Sequence, residues 1–223
     1  MHNISQVTFF PVENGNTVLL EAGDTTIVTD IHYRQCAANE NDDDCYDFAD
    51  ELRAACKRKT GKYEYVADVF VSTHPEEDHV RGFDTLFHTG PPENYEPDPE
   101  DDDPKILIPE LWVSPYAVSA PSQSEVSEEF LKEVHCRNDL VGTASGRKDG
   151  NRIKVLSLDG DETKGSIGND FSWTLLAPND TEAKVNKDES CNKSSLVIRW
   201  QFQATGKRVL LGGDATVDVW ERI

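Results

Sequence analysis

The sequence is short of basic residues and of long apolar runs. It has 22 Lys and Arg against 42 Asp and Glu, a formal net charge of -20 over 223 residues. Such a surface repels phosphate backbones, which excludes non-specific binding of nucleic acid by the surface at large. No stretch approaches the ~18 apolar residues of a membrane span, and the start MHNISQVTFF lacks the features of a signal peptide. We therefore expect a soluble, cytoplasmic protein that does not contact membranes.

Motifs of several common enzyme classes are also missing. There is no G-x-S-x-G elbow and no G-x-x-x-x-G-K-[ST] loop, so a serine hydrolase or a P-loop nucleotide hydrolase is unsupported. The cysteines are odd in number and form no C-x-x-C pair, which predicts neither a disulfide scaffold nor a four-thiolate zinc site. All five are expected to be reduced thiols: Cys36, Cys45, Cys56, Cys136 and Cys191.

The residues that are present indicate one folded α/β domain over 1–223. Hydrophobic residues make up 37% of the chain, enough for one sizeable core at this length. Two acidic runs, near 40–51 and 91–104, are typical of solvated loops or insertions. Between them, strand-like and helix-like segments follow one another in an order that predicts two stacked sheets with helices outside.

Apolar periodicity places the individual elements. Three runs predict an antiparallel meander at the start of the chain: QVTFFPV, NTVLLEA and TTIVTDI. YDFADELRAACKRK is predicted to be helical, and the almost unbroken apolar run YVADVFVST suits a central strand buried on both faces. VRGFDTLFH is predicted to be a short helix, and EVSEEFLKEVH a longer one capped by Ser124. Further strands are expected in KILIPELWVSPYAV, NRIKVLSL, DFSWTLLAP, SSLVIRWQF and GKRVLLGGDA.

The heptapeptide THPEEDH concentrates the side chains that bind metals. Residues two apart on an extended chain point the same way, so His74 and Glu76 could share one metal. A tight turn would then direct Asp78 and His79 towards a neighbouring one. Imidazole with carboxylate suits Zn, Mn or Fe, and the carboxylate-rich balance favours a harder ion such as Mn. The alternative is a polar helix start whose acids stabilise the helix N-terminus.

Two aspartates that end strands add to this cluster. The apolar run VLL leads into Gly212-Gly213 and Asp214, and the glycines let the backbone aim that carboxylate off the strand end. Asp214 is thus a candidate bridging ligand between two metals, although Gly-Gly-Asp alone is more often only a turn. Asp30 ends TTIVTD and could orient a ligand histidine by hydrogen bonding to it from outside the ligand set.

The order of Asp30, VSTHPEEDHVRGF, NKSSLVIRWQF and VLLGGDA resembles the metallo-β-lactamase-fold hydrolases, most closely their competence-type (ComEC-like) branch. This resemblance implies an αββα sandwich with one or two divalent metal ions, Zn or Mn, at the sheet edges. It also implies a phosphodiester substrate, cleaved with Asp78 orienting the attacking water. The ligands that it implies are His74, Glu76, Asp78, His79 and Asp214.

The sequence departs from this family in three places. Glu76 stands where the family has His or Asp, and only His88 and His135 are available for the third-motif histidine. The family continues after its Gly-Asp turn with a helix, a strand and a histidine, whereas nine residues follow Asp214 here. We therefore expect a chain that lacks the C-terminal strand and helix of the fold, leaves Val219 and Trp220 without partners, and forms part of a larger protein or complex.

Two hypotheses for the function result. The first is a metal-dependent hydrolase, a nuclease or phosphodiesterase, that acts through a metal-activated water. Nucleic acid would then have to be delivered by another, basic module. The alternative is a non-catalytic metallo-β-lactamase-like structural or sensing module of a larger assembly. The missing histidines favour the module, and the retained ligand-type residues of THPEEDH, with Asp30 and Asp214, favour the enzyme.

Overall fold

The structure is a computed structural model that describes residues 5–38, 45–58, 61–95, 103–121, 124–184 and 190–223. The strands in these ranges are β1 (Ser5–Phe9), β2 (Val18–Ala22), β3 (Thr25–Thr29), β4 (Ile31–His32), β5 (Val69–Val71), β6 (Glu110–Val113), β7 (Arg152–Val155), β8 (Lys164–Ile167), β9 (Phe171–Ala177), β10 (Val197–Phe202) and β11 (Arg208–Leu211). The α-helices are α1 (Ala49–Cys56), α2 (Glu77–Val80), α3 (Phe83–Leu86), α4 (Pro115–Ser119), α5 (Glu125–Asp139), α6 (Asp180–Ala183) and α7 (Val217–Arg222). No helix within the described ranges is both long and apolar enough to cross a bilayer.

The larger sheet has the strand order β1-β2-β3-β5-β6-β7. Its first three strands form the predicted antiparallel meander, and the tight turn between β2 and β3 uses Gly23 at a φ of 60°. From β3 onwards the neighbours are parallel. All three residues of β5 are buried between β3 and β6, which confirms the predicted central strand.

The smaller sheet is antiparallel, with the order β11-β10-β9-β8. β9 alternates buried and half-buried residues, the pattern of a strand with one face on the core. β8 was not predicted, because its sequence KGSI offers a single apolar residue and it pairs at the edge of the sheet with β9 alone.

Apolar side chains fill three layers. Between the sheets lie Trp112 of β6 and Trp200 of β10, stacked with ring centroids 5.6 Å apart. The other face of the larger sheet is covered by helices, with Leu52 of α1 and Phe130 of α5 fully buried. On the outer side of the smaller sheet, α7 packs against β9 and β10. The order helix, sheet, sheet, helix confirms the predicted αββα sandwich.

Helix α5 begins where the sequence predicts. Ser124 caps it, since its Oγ accepts a hydrogen bond from the Ser127 amide, and Ser127 Oγ in turn accepts one from the Ser124 amide. Helix α1 also confirms its prediction, and it takes up the last residues of the first acidic run. The centres of both acidic runs, 39–44 and 96–102, lie outside the described residues.

Two expectations are wrong. Cys36 and Cys45 form a disulfide rather than free thiols, since the fold brings their Cα atoms, nine positions apart in the sequence, to 5.8 Å, which is within bridging distance. Val219 is not left without partners, since it is buried against Ala177 and Val197. Trp220 remains 40% exposed.

Candidate metal centre

The candidate centre lies where strand ends of the two sheets meet. β3 and β5 are parallel neighbours, so Asp30 and the segment Ser72–His74 leave the larger sheet at the same edge. The smaller sheet supplies the segment before β10 and the turn after β11. The Leu196 amide donates to the Thr73 carbonyl at 2.9 Å, which fixes the start of β10 beside the end of β5.

The side chain of His74 is fully buried, and hydroxyl groups contact only one of its two ring nitrogens. Its Nδ1 lies 3.2 Å from Thr73 Oγ1 and 3.3 Å from Ser195 Oγ. Its Nε2 is buried and has no hydrogen-bond partner among the described residues. The two hydroxyls fix the orientation of the ring, so that Nε2 faces the interior of the centre and Glu76.

His79, on α2, is held in the same way by a carboxylate. Its Nδ1 lies 2.9 Å from Asp30 Oδ2, and its buried Nε2 likewise has no hydrogen-bond partner in the described part of the chain. Burial lowers the pKa of His79, but the charge and hydrogen bond of Asp30, together with Asp78 and Asp214, outweigh it and raise the pKa to about 9. A metal-ligand histidine with a carboxylate on its second nitrogen is the usual arrangement in proteins.

Asp30 is itself fixed by Thr73. The amide and the hydroxyl of Thr73 both donate to the Asp30 carboxylate at 2.7 Å. Asp30 has a φ of 55°, a left-handed conformation that aspartate tolerates better than most residues. The structure places Asp30 beside His79 of the predicted cluster.

Three carboxylates face the unpaired nitrogens. Glu76 Oε2 lies 3.5 Å from His74 Nε2, and Asp214 Oδ1 lies 3.4 Å from His79 Nε2. Asp78 Oδ2 is 3.9 Å from the same His79 atom. At these separations the contacts are electrostatic rather than hydrogen bonds. Asp78 and Asp214 are more than one third exposed, so the centre opens to solvent on their side.

The charge of the centre also perturbs Glu76. The His74 imidazole, the main cause, lowers the pKa of Glu76 to about 2 against the opposing effect of burial, and the Cys191 thiol donates to Glu76 Oε1 at 3.1 Å. Glu76 is therefore a carboxylate across the physiological range, the form that binds cations.

Two groups of potential ligands result, each with its ligand atoms within 4.8 Å of one another. They are His74, His79 and Asp214, and His74, Glu76 and Cys191. Four of the five predicted ligands, His74, Glu76, His79 and Asp214, thus lie together at one centre, with Asp78 beside them and outside both groups. Nitrogen, oxygen and sulfur donors around two unpaired imidazole nitrogens suit a divalent transition metal.

Three residues of the centre were missed. Thr73 and Ser195 orient the histidines through hydroxyls, and Ser195 lies in the Asn192–Ser195 turn that the family resemblance had marked. Cys191 directly precedes that turn, and this adjacency was the available signal.

The histidines proposed for the third motif lie elsewhere. His135 is exposed on α5, where its Nε2 contacts the Val118 carbonyl, and His88 Nε2 contacts the Pro91 carbonyl. Neither belongs to a ligand group of the described residues.

No protein-family profile and no curated protein matches the chain. Solved structures that resemble it include the metallo-beta-lactamase fold protein YhfI from Bacillus subtilis, with 13% identity and a TM-score of 0.40 over 93% of this chain and 61% of that one. A B3 metallo-beta-lactamase, described as the first with an active-site glutamic acid, has 13% identity and a TM-score of 0.45 over 93% and 59%. The metallo-beta-lactamase GOB-18 from Elizabethkingia meningoseptica has 10% identity and a TM-score of 0.39 over 95% and 59%. The chain spans about three fifths of the length of these proteins, and a likeness at this level says nothing of substrate.

Proposed function

We propose that the chain is a metal-dependent hydrolase of phosphodiester bonds. The observation that carries the proposal is the pair of buried imidazoles, His74 and His79, whose Nε2 atoms have no hydrogen-bond partner among the described residues. Leaving a buried polar atom unpaired costs about 1–3 kcal/mol, so two such atoms side by side need a reason. A bound cation supplies one, because it would displace the proton from His79 and give the Nε2 atom of each histidine a partner.

The ligands divide naturally into two sets. His74 Nε2 can bind only one cation. Glu76 is the carboxylate beside that atom, at 3.5 Å, so we assign His74 and Glu76 to a first metal position. His79, with Asp78 and Asp214 nearest to its Nε2, then forms a second position. Asp214 belongs to a compact group with both histidines, as its predicted bridging role requires.

A divalent ion held by these residues would lower the pKa of a bound water towards neutrality and polarise the scissile group. The residues of the chain supply the rest of the chemistry. Asp78, on the open side, accepts a hydrogen bond from the attacking water and orients it. Asp30 holds His79 in position, and Thr73 holds Asp30.

A phosphodiester is the favoured substrate for two reasons. Two divalent ions held by these two sets of residues would suit displacement at phosphorus, because they would supply positive charge where the oxygens gain negative charge. The competence-type resemblance in THPEEDH and NKSS favours the same class. The net charge of -20 opposes long nucleic acid, so the substrate is either small or delivered by a basic module of a larger assembly.

Hydrolysis assays test this proposal. The chain is loaded with zinc or manganese and assayed with bis(p-nitrophenyl) phosphate, a β-lactam and a thioester. We expect phosphodiester turnover that falls about 10²–10⁴-fold in Asp78→Asn. The exposed Asp161, outside both ligand groups, provides the control Asp161→Asn, which should retain full activity.

The other outcomes separate the alternatives. Turnover of only the β-lactam or the thioester would keep the metal centre and overturn the substrate class. A metal-loaded chain without turnover of any substrate would favour the non-catalytic module.

A further inference from the structure

We infer that Cys191 is a thiolate ligand of the first metal position, which makes that position a mixed imidazole, carboxylate and thiolate site selective for zinc over manganese. The inference rests on the proposed function, since it assumes that the centre binds metal. It adds a ligand that sequence patterns did not assign.

The geometry places three different donors around one point. Cys191 Sγ lies 3.1 Å from Glu76 Oε1, and His74 Nε2 lies 3.5 Å from Glu76 Oε2. All three ligand atoms lie within 4.8 Å of one another. Ligand atoms around a tetrahedral zinc ion, with bonds of about 2.0–2.3 Å, are roughly 3.3–3.8 Å apart. Small side-chain adjustments therefore bring these donors to coordinating distance.

The backbone around Cys191 is tied to the backbone around His74. Cys191 is 1% exposed and begins a short 3-10 turn whose Ser194 hydroxyl donates to the Cys191 carbonyl at 2.7 Å. The next two residues reach the histidine segment, with Ser195 Oγ at His74 Nδ1 and the Leu196 amide on the Thr73 carbonyl. Backbone and side-chain hydrogen bonds thus fix the position of the Cys191 thiol relative to His74.

In the metal-free centre, the donor atoms beside Cys191 are only partly satisfied. A hydrogen bond from Cys191 to Glu76 satisfies both of those side chains, but His74 Nε2 stays fully buried and unpaired among the described residues. Ligation accounts for all three side chains. On ligation the Sγ–H bond breaks, its proton passes to solvent and a sulfur–metal bond forms, with no change of oxidation state.

The thiolate changes the expected metal. The carboxylates of THPEEDH favour a hard ion such as Mn, but soft sulfur ligands select zinc and its spectroscopic substitutes cobalt and cadmium. Manganese should therefore bind to this position much more weakly than zinc.

Cobalt titration of the metal-free chain tests the inference without any activity assay. The wild-type chain should show visible cobalt absorption together with a near-ultraviolet thiolate-to-cobalt charge-transfer band. Cys191→Ser should keep the visible absorption, lose the near-ultraviolet band and bind zinc at least about tenfold more weakly. Cys136→Ser, at the exposed free cysteine of α5, should retain the band.

The possible outcomes distinguish a failure of the Cys191 proposal from a failure of the hydrolase proposal. Cobalt binding without a charge-transfer band, or a band that survives in Cys191→Ser, would overturn the role of Cys191 and leave the hydrolase proposal intact. A folded wild-type chain that binds no cobalt would overturn both. Should Cys191→Ser not fold, cadmium NMR of the wild-type chain decides, because a sulfur-ligated resonance supports the inference and an all-nitrogen and oxygen resonance overturns it.

Discussion

Asp30 Oδ2 lies 2.9 Å from His79 Nδ1, across 49 residues of sequence. The same carboxylate accepts two hydrogen bonds from Thr73, whose hydroxyl also contacts His74. One buried acid therefore positions both histidines of the candidate centre.

Asp30→Asn should weaken zinc binding about 10–100-fold, because the amide keeps the shape of the side chain and removes the charge that holds His79. Calorimetric titration of the folded variant measures the effect, with Asp161→Asn as the control. Equal zinc affinity in wild type and Asp30→Asn would show that Asp30 does not support the centre.

The metal-free chain should lose stability as pH rises through the pKa of His79. That pKa is raised from its ordinary value of 6.5 to about 9, so the folded chain holds the proton more tightly than the unfolded chain. The stabilisation is complete below pH 6.5, declines above it and is lost above 9, with a ceiling of about 3 kcal/mol. Urea unfolding across this range, with His79→Gln for comparison, measures it. NMR detection of a His79 pKa at or below 6.5 would contradict the expectation.

Gly213→Ala should destabilise the chain and displace Asp214. Gly213 has a φ of 49°, and a Cβ there would lie 2.3 Å from Thr73 Oγ1. Left-handed strain costs about 1–2 kcal/mol and overpacking about 1–3 kcal/mol more. Gly206→Ala is the matched control, because Gly206 has a φ of 68° and open space around it. Denaturation should therefore show the larger loss for Gly213→Ala, and equal losses would rule out the clash with Thr73.

The buried ion pair on α5 should contribute more to the free energy of unfolding than the surface ion pair on the same helix. Glu133 accepts from Arg137 Nε at 2.7 Å and from the Gly90 amide at 2.8 Å, and both charged side chains are almost fully buried. Glu133→Ala leaves the buried guanidinium without its carboxylate partner, although the Ile108 and Arg152 carbonyls still accept from it, and should cost about 3–5 kcal/mol. Glu129→Ala, which breaks the exposed pair with Lys132, should cost less than about 1 kcal/mol. Similar unfolding free energies for the two variants would contradict this.

The features that the sequence predicted are those encoded by neighbouring residues. The alternation in β1 to β3, the apolar run of β5 and the Ser124 cap of α5 are each encoded within a few residues, so the sequence predicted them. The same holds for THPEEDH, in which one turn carries four side chains of the centre.

Contacts between distant segments were not predictable. Cys191 meets Glu76 across 115 residues, and a count of cysteines could not distinguish it from an inert thiol. The same count predicted free thiols at Cys36 and Cys45, because a count does not show which cysteines lie within bridging distance. β8 was not predicted, because an edge strand with one apolar residue shows no alternation of apolar and polar residues.

Zinc bound per chain tests the central claim most directly. Equilibrium dialysis followed by atomic emission should find at least one zinc per wild-type chain, and substantially less in the double variant His74→Gln, His79→Gln, which removes a ligand from each position. Asp161→Asn should match the wild type. A folded wild-type chain that retains no zinc, or a double variant that retains as much as the wild type, would contradict the assignment of this centre.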